Sequence, residues 1–206
     1  MTLDSAKAYM KDFFERYYKL LHNRDIVFLT LPNVPHEMRA DVADSDDEWN
    51  VWKLIPSTIT NDELDAIEVK YGLKLPIMVR AFLSTYHHLF EDPIGRNGLG
   101  SNKLLAFDNT YNPHLTANAF LPFAWDRDNY FIRCIDLTNM PNEDKCPVLE
   151  IDHEYMFDVT FAAEDKGEIA TRKQLMQYMR PVSDNFKQYL EHVYNNFVDE
   201  YGEHKQ

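Results

Sequence analysis

The stretch from Thr60 to Leu83 constrains this chain more tightly than any other. Thr60-Asn61-Asp62-Glu63 has the form of a capping box, in which the Thr60 hydroxyl takes the amide of Glu63 and the Glu63 carboxylate returns to that of Thr60. A helix is therefore expected from Asn61, with Leu64, Ile67 and Tyr71 on its inner face. Gly72 ends it, because only glycine enters the left-handed region without a Cβ penalty. Pro76 fits the first turn of a second helix, where its missing amide hydrogen costs nothing, and that helix carries Val79, Phe82, Leu83 and Tyr86. The Gly-Leu-Lys-Leu-Pro corner thus forces two short helices to reverse sharply.

Around this corner the hydrophobic period changes twice. Leu3, Ala6, Met10, Phe13, Phe14, Tyr17 and Leu21 recur at spacings of three and four and mark one long helix. Asp25 to Leu31 reads as a short strand stopped by Pro32, and Asn33 to Asn50 as a loop or linker. Beyond the corner, the glycines and proline from Glu91 to Lys103 mark a turn-rich crossing. Five apolar or aromatic runs then read as strands: Leu104–Phe107, Phe120–Trp125, Tyr130–Leu137, Pro147–Ile151 and Tyr155–Val159. Asp126-Arg127-Asp128-Asn129 reads as a hairpin tip. Thr171 to Gln174 repeats the capping-box form and opens a helix that Pro181 closes. Ser183 is expected to cap a last helix with Phe186, Tyr189, Leu190, Val193, Tyr194 and Phe197 inward. Helices, then sheet, then helices argue for an α+β fold with a mixed or mainly antiparallel sheet flanked by helices.

With 206 residues, 45% of them hydrophobic, the chain has the size and apolar content of one large domain with a core of its own. Its formal net charge is −13, from 34 acids against 21 bases. That field repels phosphate backbones and anionic lipid headgroups, so nucleic acid and membrane are poor partners. It favours basic proteins by raising their encounter rate, and it equally serves solubility alone; both readings stand. Asp41, Asp44, Asp46, Asp47 and Glu48 concentrate five acids in eight residues. Such a run is either a solvated loop or a steering element for a cationic partner. Trp49 and Trp52 follow, as partner anchors or as core or lid packing. No run approaches the roughly 18 apolar residues of a membrane span, and no export signal is visible, so a cytoplasmic protein with reduced Cys134 and Cys146 is expected.

Catalytic and ligand-binding patterns fail one by one. His87 and His88 are adjacent on an expected helix and point about 100° apart, which suits surface or rim histidines better than a metal pair. His36-Glu37 lacks the second histidine of a metalloprotease helix. Calcium-loop spacings that start at Asp44 or Asp126 meet Trp49 or Phe131 where glycine is required. Gly95-Arg96-Asn97-Gly98-Leu99-Gly100 has the wrong order for a phosphate cradle and is expected to precede a strand, so its glycines serve turns. Cys134 lies inside an apolar strand, where a thiol is inert packing. A carboxylate pair stays open, since sequence does not reveal which acids share a cleft.

Trp52-Lys53-Leu54-Ile55-Pro56, Glu63-Leu64, Ile67-Glu68, Tyr71 through Pro76 and Arg80-Ala81-Phe82-Leu83 together resemble the opening of the SUKH superfamily, which includes fungal cell-wall-synthesis regulators and bacterial immunity proteins. The matching motif positions are Glu68, Gly72, Leu75, Pro76, Phe82 and Leu83. Leu121 to Asp126, Tyr130 and Ile135-Asp136-Leu137 look like the family's paired strands, although Arg127, Asp128 and Asn129 stand where members commonly have glycines. The resemblance covers about Trp49 to Met179 of a single domain spanning 1–206. The N-terminal segment 1–48, with its helix, strand and acidic loop, and the C-terminal helix of 183–206 look like additions.

The resemblance implies a SUKH-like α+β domain without cofactor or catalysis that acts by binding. In bacterial members it implies neutralising a basic, nuclease-type toxin, for which Asp41, Asp44, Asp46, Asp47, Glu48, Asp126 and Asp128 are the candidate partner-binding residues. A regulatory scaffold for cell-wall or signalling proteins is the alternative, and a hydrolase with a carboxylate pair a second one.

Overall fold

A computed structural model describes residues 1–30, 33–40, 49–91, 93–100 and 103–201. Helix α1 (Leu3–His22) opens on a capping box in which Thr2 accepts from the Ser5 amide. It buries Ala6, Met10, Phe13, Phe14, Tyr17, Leu20 and Leu21; of the face that its spacing predicts, Leu3 in the first turn is only partly buried, and Leu20 is added. Each phenylalanine fully withdrawn from water contributes about 1.5–3 kcal/mol. The short strands β1 (Phe28–Thr30) and β2 (Trp49–Val51) pair antiparallel, so the expected loop from Asn33 to Asn50 ends in a strand. It also holds a 3-10 turn at His36–Met38, whose Met38 is buried.

β3 (Ile55–Pro56) leads into α2 (Asn61–Tyr71) and α3 (Ile77–Thr85), and β4 (Tyr86–His87) returns to pair with β3. Pro76 precedes α3 rather than sitting inside its first turn. His87 and His88 therefore lie on extended chain, not on a helix, and both are fully buried rather than at a surface or rim.

Leu104–Phe107, expected as a strand, instead enters helix α4 (Leu105–Thr110), followed by the single-turn α5 (Pro113–Thr116). The glycine-rich crossing thus precedes a helix. Gly95, at φ +83°, lies so close to α4 that a Cβ there would meet the Ala106 Cβ at 2.6 Å.

The main sheet is fully antiparallel, in the order β5 (Phe120–Trp125), β6 (Phe131–Asp136), β7 (Val148–Asp152) and β8 (Arg180–Ser183). Between β7 and β8 run α6 (His153–Glu164) and α7 (Arg172–Met176), and α8 (Phe186–Tyr201) closes the described chain. Tyr155–Val159, expected as a strand, lies in α6. Asp152 caps that helix by accepting from the Glu154 amide at 2.8 Å, and Met156, Thr160 and Ala163 are its buried stripe at helical spacing. Pro181 belongs to the edge strand β8, where proline removes no ladder bond from a central strand. The cap of α8 is Asn185, whose side chain accepts from the Gln188 amide at 3.0 Å, while Ser183 donates to the Asn185 carbonyl.

The sheet is buried on both faces. Leu121, Phe123, Ile135 and Val148 join the large core formed by α1, α2, α3 and α8. Phe120, Ile132, Cys134, Leu149 and Ile151 face a smaller core with Leu115, Met156, Ala163, Ala170 and Leu175. Double coverage explains why Phe120–Trp125 reads as a continuous apolar run instead of alternating.

Candidate protein-binding face

Of the motif positions, Glu68, Gly72, Leu75 and Pro76 lie at the corner between α2 and α3, and Phe82 and Leu83 follow on α3. Gly72 takes φ +64° and its amide reaches back to the last turn of α2. Glu68, buried just upstream, accepts from the Leu75 amide at 3.0 Å, from Lys74 at 2.6 Å and from Arg80 at 2.8 Å. Burial works against its negative charge, but these donors outweigh it and hold the carboxyl below its usual range. Leu75, Phe82 and Leu83 are buried in the large core. Phe82 packs against Phe14, His88 and Phe186. α3 has no side-chain cap of its own, and Glu143 from a distant turn supplies one, accepting from the amides of Ile77 at 2.6 Å and Met78 at 3.2 Å. The corner is an architectural joint.

The candidate acids fall in two places. Asp41, Asp44, Asp46, Asp47 and Glu48 lie outside the described residues. Asp126 and Asp128 are brought to the β5–β6 hairpin, as expected for its tip, and there they differ. Asp126 is buried, with its carboxylate accepting from the amides of Tyr130 at 2.5 Å and Phe131 at 2.7 Å, which closes the turn. Asp128 is exposed at the tip. Beside it, Arg127 pairs with Glu200 of α8 at 2.5 Å.

Chemistry-bearing side chains in the interior are engaged or sealed. His87 accepts from the Thr58 amide at 2.8 Å through Nε2 and faces the Asn97 carbonyl through Nδ1. His88 is packed between Phe14, Phe82 and Phe90, with no hydrogen-bond partner for either ring nitrogen among the described residues. Burial pushes its imidazole down to about 3, with the neighbouring His87 adding to the effect. Cys134 and Cys146 are free and buried, and burial raises both thiols, which keeps them protonated and unreactive. Asp136 on β6 is held by Arg172 at 2.5 Å and by the Thr138 amide. Trp52 is core, edge-on to Tyr18 and Phe90. Among the described residues no three His, Cys, Asp or Glu side chains group as metal ligands, and no helix is long and apolar enough to cross a membrane.

Two surfaces stand out among the described residues. A cleft of about 1480 Å³ opens between the main sheet, α1, α8 and the segment around Leu89–Arg96. It holds Asp25, Glu91, Asp126 and Glu200, of which Glu91 pairs with Arg96 and Glu200 with Arg127. The other surface is the outside of α6. Phe157 is 64% exposed and Phe161 60%, and their rings stack with centroids 5.8 Å apart. On the opposite flank of the helix Tyr155 stacks on Tyr178 at 4.8 Å, near exposed Met176. Tyr130, next to the hairpin tip, leans edge-on against His153 at 4.9 Å, and its carbonyl accepts from both the His153 amide and the imidazole Nδ1. The negative charge of Glu154, first among several causes, raises the exposed Tyr130 hydroxyl.

Sequence reading missed this face because Tyr155–Val159 looks like a strand. The available signal is Asp152 followed by Met156, Thr160 and Ala163 at spacings of four, four and three. Comparison with protein-family models, with curated proteins and with solved structures finds no match to this chain.

Proposed function

We propose that this chain is a non-enzymatic, SUKH-like protein-binding domain of the immunity type, which acts in the cytoplasm by occluding a basic, nuclease-type toxin. The observation that carries the proposal is the exterior of α6, where large aromatic groups face solvent among carboxylates. Exposed apolar area of this kind marks a contact surface. The net charge of −13 supports the same reading, since a negative field speeds encounter with a cationic groove. The buried histidines and protonated thiols are suited to packing rather than to turnover. The joint at Glu68, Gly72, Leu75 and Pro76 supports the SUKH-like part.

The test is co-expression with toxin genes encoded beside this one. Growth should be restored and the toxin should co-purify with this chain in a fixed ratio; failure to protect against every neighbouring toxin would remove the immunity reading. A regulatory scaffold for cell-wall or signalling proteins is the alternative among binding roles. The hydrolase reading draws on the cleft, but three of its four carboxylates are engaged, Asp126 by turn amides and Glu91 and Glu200 by arginines. No turnover of ester or phosphodiester substrates is expected from the purified chain.

A further inference from the structure

The outward surface of α6 inverts the usual order of a surface helix. Its buried stripe is the narrow line of Met156, Thr160 and Ala163. His153, Phe157 and Phe161 follow one another at i, i+4 and i+8, forming an aromatic ridge about 12 Å long. The parallel line one step round the helix carries Glu154, Asp158 and, one turn past Ala162, Asp165, all exposed. Tyr155 and Tyr178 form a second aromatic shoulder beyond that line. Tyr130 braces the ridge at its start, so this end is fixed before any partner arrives.

We infer that this face docks a cationic amphipathic segment of a partner protein, its apolar side chains seated against Phe157 and Phe161 and its Lys or Arg groups against Glu154, Asp158 and Asp165. The inference rests on the binding role proposed above and assigns it a place and a partner chemistry. Charge selects the occupant. From Asp152 to Glu168 the chain has six acids, Asp152, Glu154, Asp158, Glu164, Asp165 and Glu168, against the single base Lys166. A second copy of this chain would bring like charges together, which destabilises such a contact, and an anionic membrane would be repelled. A basic segment meets both requirements of the face, since stacked aromatics offer apolar area and cation–π partners while the carboxylates neutralise its charge.

The test titrates the nitrogen-15-labelled full chain with a synthetic Lys/Leu amphipathic helical peptide, followed by amide chemical shifts, with a Glu/Leu peptide of the same pattern as control. Shifts should concentrate on residues 153–168 and weaken as salt is raised. The double variant Phe157→Ser/Phe161→Ser should lose roughly tenfold or more in affinity. Both side chains are exposed, so the fold should persist, and an unchanged circular dichroism spectrum verifies this. Glu154→Lys/Asp158→Lys, which leaves the aromatics in place, should weaken binding as well. The inference is overturned if shifts centre elsewhere, if the Glu/Leu peptide binds equally, if both variants bind like the parent, or if sedimentation shows the parent pairing with itself through this face. The serine variant in the toxin co-expression assay separates the two ideas. Full protection by this variant sinks the α6 assignment and leaves the immunity reading standing, whereas no protection by the parent sinks the reading itself.

Discussion

An imidazole with both nitrogens unpaired inside a ring of phenylalanines loses hydrogen bonds that water would supply. For His88 that loss is expected to make replacement favourable, with His88→Phe raising stability at neutral pH by about 1 kcal/mol or more in urea unfolding. The same residue imposes a pH dependence. Its folded value is depressed to about 3 against an unfolded value of about 6.5, so below that point the unfolded chain binds the extra proton. Stability should fall as pH drops from about 6.5 toward about 3, and His88→Phe should reduce that slope, leaving the part due to His87, which burial also lowers. Glu68 acts in a lower window. Its carboxyl is depressed, so its contribution is complete above the unfolded value of about 4.3 and is lost as pH falls through the folded value. Glu68→Ala removes one side of a buried ion pair and should cost about 3 kcal/mol, the lower end for such losses because Arg80 keeps Asp65 at 2.9 Å.

Two elements depend on single residues at their ends. Gly72→Ala should cost about 1 kcal/mol in thermal or urea unfolding, a purely conformational penalty because a Cβ there meets nothing within 4 Å. Glu143→Ala should cost a similar amount, about 1 kcal/mol, by uncovering the first amides of α3 from a position far away in sequence. These two cases show what was legible beforehand. Gly72 and the Thr60–Glu63 box are local devices whose partners lie within a turn, so the residue pattern alone places α2 and its end. The cap from Glu143 is set by tertiary packing and has no local signature. Elements of strong period, α1, α8 and the β5–β6 hairpin, are readable for the same local reason. α4 and α6 were not, because Leu104–Phe107 and Tyr155–Val159 are short and rich in aromatic or branched residues, and short apolar runs do not separate helix from buried strand. The candidate face went with α6: its aromatics count as core when read as a strand and become surface only once the helix is recognised. Of the acidic tip, the turn was legible, but the burial of Asp126 follows from amides three-dimensionally arranged around it.

Across the whole molecule a charge of −13 opposes compaction, and screening relieves it. Unfolding temperature should therefore rise on adding moderate sodium chloride, while association with a basic partner slows; a chain destabilised by that salt would show that attractive pairs such as Arg80–Glu68 dominate instead. Neutralising the five acids between Asp41 and Glu48 with Asn or Gln should slow association at low salt in stopped-flow measurements. The sheet divides the apolar interior into unequal parts. The larger is secured by α1, α3 and α8, whereas α6 and α7 are tied down by a cluster of ten buried residues, by His114 bridging Glu164 and the Ala170 amide, and by Arg172 reaching Asp136. So lopsided an arrangement gives the chain a detachable outer leaf: amides of α6 and α7 should trade hydrogen for deuterium through partial opening, well before those of α1 and α3. A partner clasped to the leaf would have to hold it shut, and the slowing of that trade would report occupancy without any knowledge of what had arrived.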